Sequence, residues 1–144
     1  MIDTLRDLDL LENTIIWLAG DNGPWQCECQ YGGSVGPFKG AWQLTHGGGG
    51  ATGKLTVWEG GHRVPGVVSW PRNIKKGRIC DALISAMDIL PTMSKLIGVN
   101  LLDDREYDGK DVSDILLNKS LQQGHQVFSK FCHHQKTLIL LTII

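Results

Sequence analysis

The chain predicts an α/β fold, and three observations carry that prediction. A strand-like run, Thr14–Ala19, leads directly into the acid–amide pair Asp21 and Asn22. Helical and extended segments alternate along the chain, the pattern of layered α/β domains. Glycine is concentrated between Gly32 and Gly66, marking a long loop of the kind that carries function inside a compact domain.

Taken in order, Ile2 to Leu11 reads as the end of a helix, with Ile2, Leu5 and Leu8 on one face and acids on the other. Thr14, Ile15, Ile16, Trp17 and Leu18 then form a continuous run of β-branched, aromatic and aliphatic residues, as expected for a strand covered on both faces. Short extended pieces are expected at Val35–Phe38 and Ala41–Leu44. A second buried strand is expected over Val64–Trp70, ended by Pro71, followed by a basic exposed turn from Arg72 to Arg78. The next helix has Asp88 as N-cap, Pro91 in its first turn and Gly98 as its stop. Ile89, Leu90, Met93, Leu96 and Ile97 make its apolar face. Asp111–Leu117 predicts a short helix capped by Asp111 or Ser113, and Gln126–Phe131 predicts a strand. Cys132–Ile144 ends in an apolar segment with no polar face.

Composition narrows the function classes. The 144 residues fit one domain or a piece of a larger one, and 42% hydrophobic with 20% charged residues allows a packed core. A net charge of -1 with interspersed signs gives no basic stripe for nucleic acid. No apolar run is long enough to span a bilayer, and the amphipathic, acidic start MIDTLRDLDL does not read as a signal peptide. The four cysteines, Cys27, Cys29, Cys80 and Cys132, do not make a zinc site: Cys27 and Cys29 are spaced C-x-C, and no second close pair completes them. Asn118-Lys119-Ser120 is an N-x-S glycosylation triplet.

Two segments carry chemistry. Asp21 and Asn22 stand at the carboxyl end of the first strand, where sites form in open α/β sheets. Their oxygen atoms suit a hard cation such as calcium or magnesium. Taken alone, D-N-G after a strand is more often a plain turn, and these residues by themselves leave both readings open. In Gly53–Pro65, Lys54 follows small residues that let backbone approach an anion closely, and its ammonium suits phosphate or sulfate oxygens. A solvated surface lysine is the alternative. Gly48–Lys54 also meets the G-x-x-x-x-G-K part of a nucleotide-binding P-loop, but Leu55 stands where Ser or Thr must hold magnesium.

The ordered set DNGPW, GSVGPF-KGAWQ, GK-x-T-x-WEGGHRVP, WP and MDILPT resembles the sulfatase family, the arylsulfatases in particular, from Leu5 to about Phe128. The resemblance implies the later part of an alkaline-phosphatase-like catalytic domain over residues 1–128, with a central mixed sheet between helices. It leaves residues 129–144 as a divergent tail, from truncation or a gene-model artefact. It further implies hydrolysis of sulfate esters, on a sulfated small molecule or glycan, in the lysosome, the endoplasmic reticulum or outside the cell. Asp21 and Asn22 match calcium ligands of that family, and Lys54 matches the lysine that contacts the sulfate. Glu59, Gly60, Gly61 and Arg63 match its W-E-G-G-x-R signature, read here as support for the Lys54 loop, with His62 at the site rim. The family nucleophile is a formylglycine made from the cysteine of C-x-P-x-R or C-x-A-x-R, and none of the four cysteines has that context. The isolated chain is therefore expected to lack turnover.

Overall fold

The computed structural model describes residues 1–38, 53–55, 58–119 and 125. Helix α1, Ile2–Asp7, carries an Asp3–Arg6 ion pair on its surface and ends in a turn over Leu11–Asn13. Thr14 closes that turn, its hydroxyl donating to the Leu10 carbonyl at 2.8 Å.

Strand β1, Ile16–Ala19, pairs antiparallel with β2, Gly66–Ser69, with Trp17 opposite Val68 and Ala19 opposite Gly66. Both strands are shorter than the expected runs Thr14–Ala19 and Val64–Trp70. Among the described residues the sheet is this one antiparallel pair, so it shows neither the expected mixed sheet nor burial on both faces. Trp17 and Ala19 face the core, whereas Leu18, on the opposite face, is 67% exposed. Alternation along a strand puts successive side chains on opposite faces, and here only one face is covered.

The core consists of Val64, Val68, Ile74, Ile84, Val112, Ile115 and Leu116, with Ile15, Trp17, Ala19 and Trp70 packed at its edge. Ile74 corrects one expectation. The Arg72–Arg78 segment is not wholly an exposed basic turn, because Ile74 turns into the core. Arg78 reaches back to bond the carbonyl oxygens of Ile115 and Leu116, both at 2.8 Å, and Oδ1 of Asn118 at 2.9 Å. It thereby adds a donor to carbonyls at the end of the short helix over Ser113–Leu116. Val35–Phe38 also departs from expectation: the Phe38 N–H bonds the Val35 carbonyl at 3.2 Å, making a turn instead of an extended piece.

Helix α2 is the single turn Glu59–His62, and α3 spans Ile89–Ile97. Gly98 ends α3 with φ 73°, a left-handed conformation that glycine adopts without steric cost. Asp88 stands at the N-cap of α3, as expected, but its side chain makes no cap bond to that helix. Ser85 Oγ accepts the Met87 N–H at 3.1 Å, while Asp88 Oδ2 accepts the Ser85 N–H at 2.7 Å, a reciprocal capping box one turn earlier. The buried face differs as well. Pro91 and Thr92 are buried, whereas Leu90 and Ile97, assigned to the apolar face, are exposed. The reason is a polar tie: Thr92 Oγ1 accepts the Val112 N–H at 3.0 Å and draws the Pro91–Thr92 side toward the following segment. That segment forms α4, Ser113–Leu116, within the expected 111–117. The Asp111 carboxylate accepts the Ser113 N–H at 2.8 Å, so Asp111 serves the helix start.

Asp88 is fully buried and ties three stretches of chain. Its Oδ1 accepts the Lys110 N–H at 2.8 Å and lies 2.7 Å from His125 Nε2, while the His125 N–H bonds the Leu83 carbonyl at 3.0 Å. The remaining expectations for Ala41–Leu44, Gln126–Phe131 and the 129–144 tail fall outside the described residues.

Candidate functional site

The turn after β1 is built on close backbone contact. Gly20 bonds the Pro65 carbonyl at 3.1 Å and Gly23 bonds the Gly61 carbonyl at 2.9 Å, fastening the D-N-G turn to the segment that carries α2. A β-carbon on Gly23 would lie 1.9 Å from the Gly60 oxygen, so any side chain there displaces backbone. Gly53 is equally confined, its added β-carbon falling 2.9 Å from both the Gly60 and Pro24 oxygens. The next residue, Lys54, donates its N–H to the Pro24 carbonyl at 3.1 Å. Three sequence-distant segments, Gly20–Trp25, Gly53–Leu55 and Glu59–His62, therefore meet through glycine contacts.

The turn carries an ordered carboxylate. Asp21 Oδ1 accepts the Asn22 side-chain amide at 2.7 Å and the Asn22 backbone N–H at 2.9 Å. The Asn22 side-chain hydrogen bond is the main reason the Asp21 carboxyl sits below the ordinary carboxylate range. Backbone N–H groups and the Lys54 charge act in the same direction. The Lys54 backbone N–H on the Pro24 carbonyl places that residue beside the turn carrying Asp21 and Asn22, and its charge is the smallest of the influences on the Asp21 carboxyl.

The Lys54 ammonium also lies over the ring of Trp25, 4.9 Å from its centroid, a cation–π arrangement. Sequence reasoning passed over Trp25, although its place directly after D-N-G-P, beside the oxygen-bearing turn, was the available signal. Glu59 and Arg63 are paired along α2 at 3.7 Å, and the Arg63 guanidinium lies 4.6 Å from the centroid of Phe38. Arg63 thus links the α2 segment to the Val35–Phe38 turn, and His62 is half-buried at the end of α2.

The donor set can be weighed against a metal. Asp21 and Asn22 offer hard oxygens suited to calcium, which takes six to eight of them. Among the described residues no cluster of three or more His, Cys, Asp or Glu could hold a metal. The pair fits the ion in kind and supplies part of its shell. For the P-loop alternative, Lys54 lies among the described residues in one short turn, Gly53–Leu55, and Leu55 stands where that motif needs a hydroxyl. Gly48–Thr52 of that motif lie outside the described residues.

The profile of the family described as Sulfatase matches residues 1–99. Arylsulfatase G of Mus musculus is 52% identical over 116 residues, covering 81% of this chain and 22% of that protein. Arylsulfatase G of Homo sapiens is 47% identical over 121 residues, covering 84% of this chain and 22% of that protein. Steryl-sulfatase of Homo sapiens is 36% identical over 138 residues, covering 92% of this chain and 22% of that protein. The chain spans about a fifth of the length of these relatives.

Proposed function

The chain belongs to the sulfatase family, and from that premise we propose that it supplies the sulfate-facing part of an arylsulfatase-type hydrolase of sulfate esters. The observation supporting this reading is that the turn bearing Asp21 and Asn22 and the segment bearing Lys54 are fastened together, by the Lys54 N–H on the Pro24 carbonyl and by glycines whose contacts leave no space for side chains. An ester sulfate presents a tetrahedral group of negatively charged oxygens, and the Lys54 ammonium is a compact cation for one of them. Held by the Pro24 carbonyl through its backbone and by Trp25 through its head, it sits in place before the ester arrives. Negative charge moves onto the departing oxygen as the sulfur–oxygen bond breaks, and a fixed positive charge nearby lowers the barrier.

Asp21 beside such an anion would repel it unless a cation intervenes. Asn22 orders the carboxylate by donating to Oδ1, and the side-chain oxygens of the two residues are the hard donors such an ion would take. Calcium, when bound, supplies Lewis-acid polarisation of the sulfate oxygens and reverses the local sign of charge. A sulfated small molecule or glycan is the substrate class, and the lysosome, endoplasmic reticulum or extracellular space the location. The formylglycine nucleophile has no source here, since Cys29 is followed by Gln30-Tyr31-Gly32-Gly33 and Cys80 by Asp81-Ala82-Leu83-Ile84.

Two assays test the proposal. The purified chain is expected to give no hydrolysis of an aryl sulfate. A chimaera in which this chain replaces the matching 116 residues of mouse arylsulfatase G is expected to hydrolyse it. Lys54→Met in the chimaera should then lower kcat by about 10²–10³, the effect of removing one charge-stabilising donor. An active chimaera that tolerates Lys54→Met contradicts the reading.

A further inference from the structure

We propose that Asn118 carries an N-linked glycan, attached where α4 ends and on the side of the strand pair away from the D-N-G turn. The inference rests on the secretory location proposed above and is independent of the roles given to Asp21, Asn22 and Lys54.

Asn118-Lys119-Ser120 is the one N-x-S or N-x-T triplet in the sequence, and a triplet alone says nothing about access. The fold supplies the access. Asn118 is exposed and stands just past the end of α4 with φ 57°, in the left-handed region. Its N–H bonds the Ile115 carbonyl at 3.2 Å, and the Lys119 N–H bonds the Asp114 carbonyl at 2.8 Å, the paired bonds of a helix stop. Asparagine is among the few residues besides glycine that take this conformation readily. The chain therefore turns out of the helix at the residue the sugar would modify.

The side chain is oriented as well. Arg78 Nη1 donates to Asn118 Oδ1 at 2.9 Å. A guanidinium can only donate, so the amide oxygen faces it and the amide nitrogen faces away. Attachment keeps this contact. The Asn118 nitrogen bonds to the anomeric carbon of a sugar carried on a lipid pyrophosphate. The bond from that carbon to the phosphate oxygen breaks, the lipid pyrophosphate leaves, and the amide gives up one proton. The secondary amide that results still presents its carbonyl oxygen to Arg78.

There is room beside it. Asn118 lines an open groove of about 420 Å³ together with Asn73, Lys75 and Lys76, over the apolar side chains of Ile74 and Leu117. A sugar has polar hydroxyl groups and apolar ring faces, and this lining offers partners for both. The segment carrying Arg78 follows the Ser69 end of β2, whereas the D-N-G turn follows Ala19, which pairs with Gly66 at the other end. A bulky, solubilising glycan at Asn118 thus stands away from the turn.

The test places the full 144-residue chain behind a cleavable secretion signal in mammalian cells and treats the product with a peptide N-glycosidase. Electrophoresis is expected to show the loss of one glycan from most of the chain. Asn118→Gln and Ser120→Ala should each abolish that mobility shift, and Ser120→Thr should keep it. Undenatured chain should release its glycan as completely as denatured chain, because Asn118 stands on the surface. Chain retained inside the cell is read in the same way, since attachment precedes secretion. A wild-type chain without the shift overturns the site, as does a glycan released only after denaturation. The added signal supplies the location, so such a failure counts against Asn118 alone, and the chimaera assay judges Lys54 separately.

Discussion

The D-N-G turn and the Asp88 junction solve the same problem, joining distant segments, by opposite means. At the turn, Gly20, Gly23 and Gly53 let backbone approach backbone, so the contacts are made by atoms every residue has. At the junction, one fully buried carboxylate collects the N–H groups of Ser85 and Lys110 and the ring nitrogen of His125. The first arrangement leaves the side chains of Asp21, Asn22, Trp25 and Lys54 available to a ligand. The second consumes its side chain in holding the fold. A polar residue that is buried and satisfied belongs to structure, and polar residues ordered yet accessible belong to chemistry.

The contrast is broken most severely at the junction. Asp88→Ala strands the buried Ser85 N–H, the part-buried Lys110 N–H and the His125 ring, and should destabilise the chain by about 3–5 kcal/mol in urea denaturation. Asp88→Asn keeps the shape and one acceptor oxygen, so its cost should be clearly smaller. A neutral Asp88→Ala would mean that the junction does not hold the chain together.

Next comes the turn. Gly23→Ala places a β-carbon 1.9 Å from the Gly60 oxygen and should cost about 1–3 kcal/mol, with loss of sulfate binding. Gly98→Ala sharpens the point. Gly98 also has a constrained backbone, φ 73°, but an added β-carbon meets nothing within 4 Å. Its cost should stay near 1 kcal/mol, and binding should be untouched. Similar outcomes for the two variants would refute the claim that close approach at Gly23 builds the site. Lys54→Met should change stability by less than about 0.5 kcal/mol, since its role lies in the ligand and not the fold.

The smallest effect concerns protonation. In calcium-free solution, Asn22→Ala removes the largest cause of the lowered Asp21 carboxyl, whose titration by carboxyl-carbon NMR should move up toward ordinary values. The sign follows from linkage. A carboxyl depressed in the folded state contributes stability above its unfolded pKa, and that contribution is lost as pH falls through the folded value. Wild-type chain should retain it to lower pH than Asn22→Ala does. An unmoved Asp21 would show that the amide does not order the carboxylate.

How much of this was legible in the sequence differs between the two regions. The turn was readable because strand, acid, amide and glycine are contiguous, and Lys54 because small residues precede it. Gly98 was readable as a helix stop for the same local reason. The role of Asp88 was not. Its position before a helix signals a cap, but its partners Lys110 and His125 come from 22 and 37 residues away. Leu90 and Ile97 misled for a related reason. Helical periodicity identifies an apolar stripe, while the Thr92–Val112 hydrogen bond decides which side of α3 faces inward. Ile74 in the basic stretch likewise became visible only through tertiary contact.

The central claim is that Asp21, Asn22 and Lys54 serve one sulfate together with one cation. It is tested most directly by following the side-chain nitrogen of Lys54 by NMR, in ¹⁵N-lysine-labelled chain, as sulfate is added with and without calcium. The account predicts a saturable shift of the Lys54 signal that occurs at lower sulfate concentration when calcium is present, and loss of that calcium effect in Asp21→Ala. A Lys54 signal that ignores sulfate, or a sulfate response that calcium leaves unchanged, would contradict it.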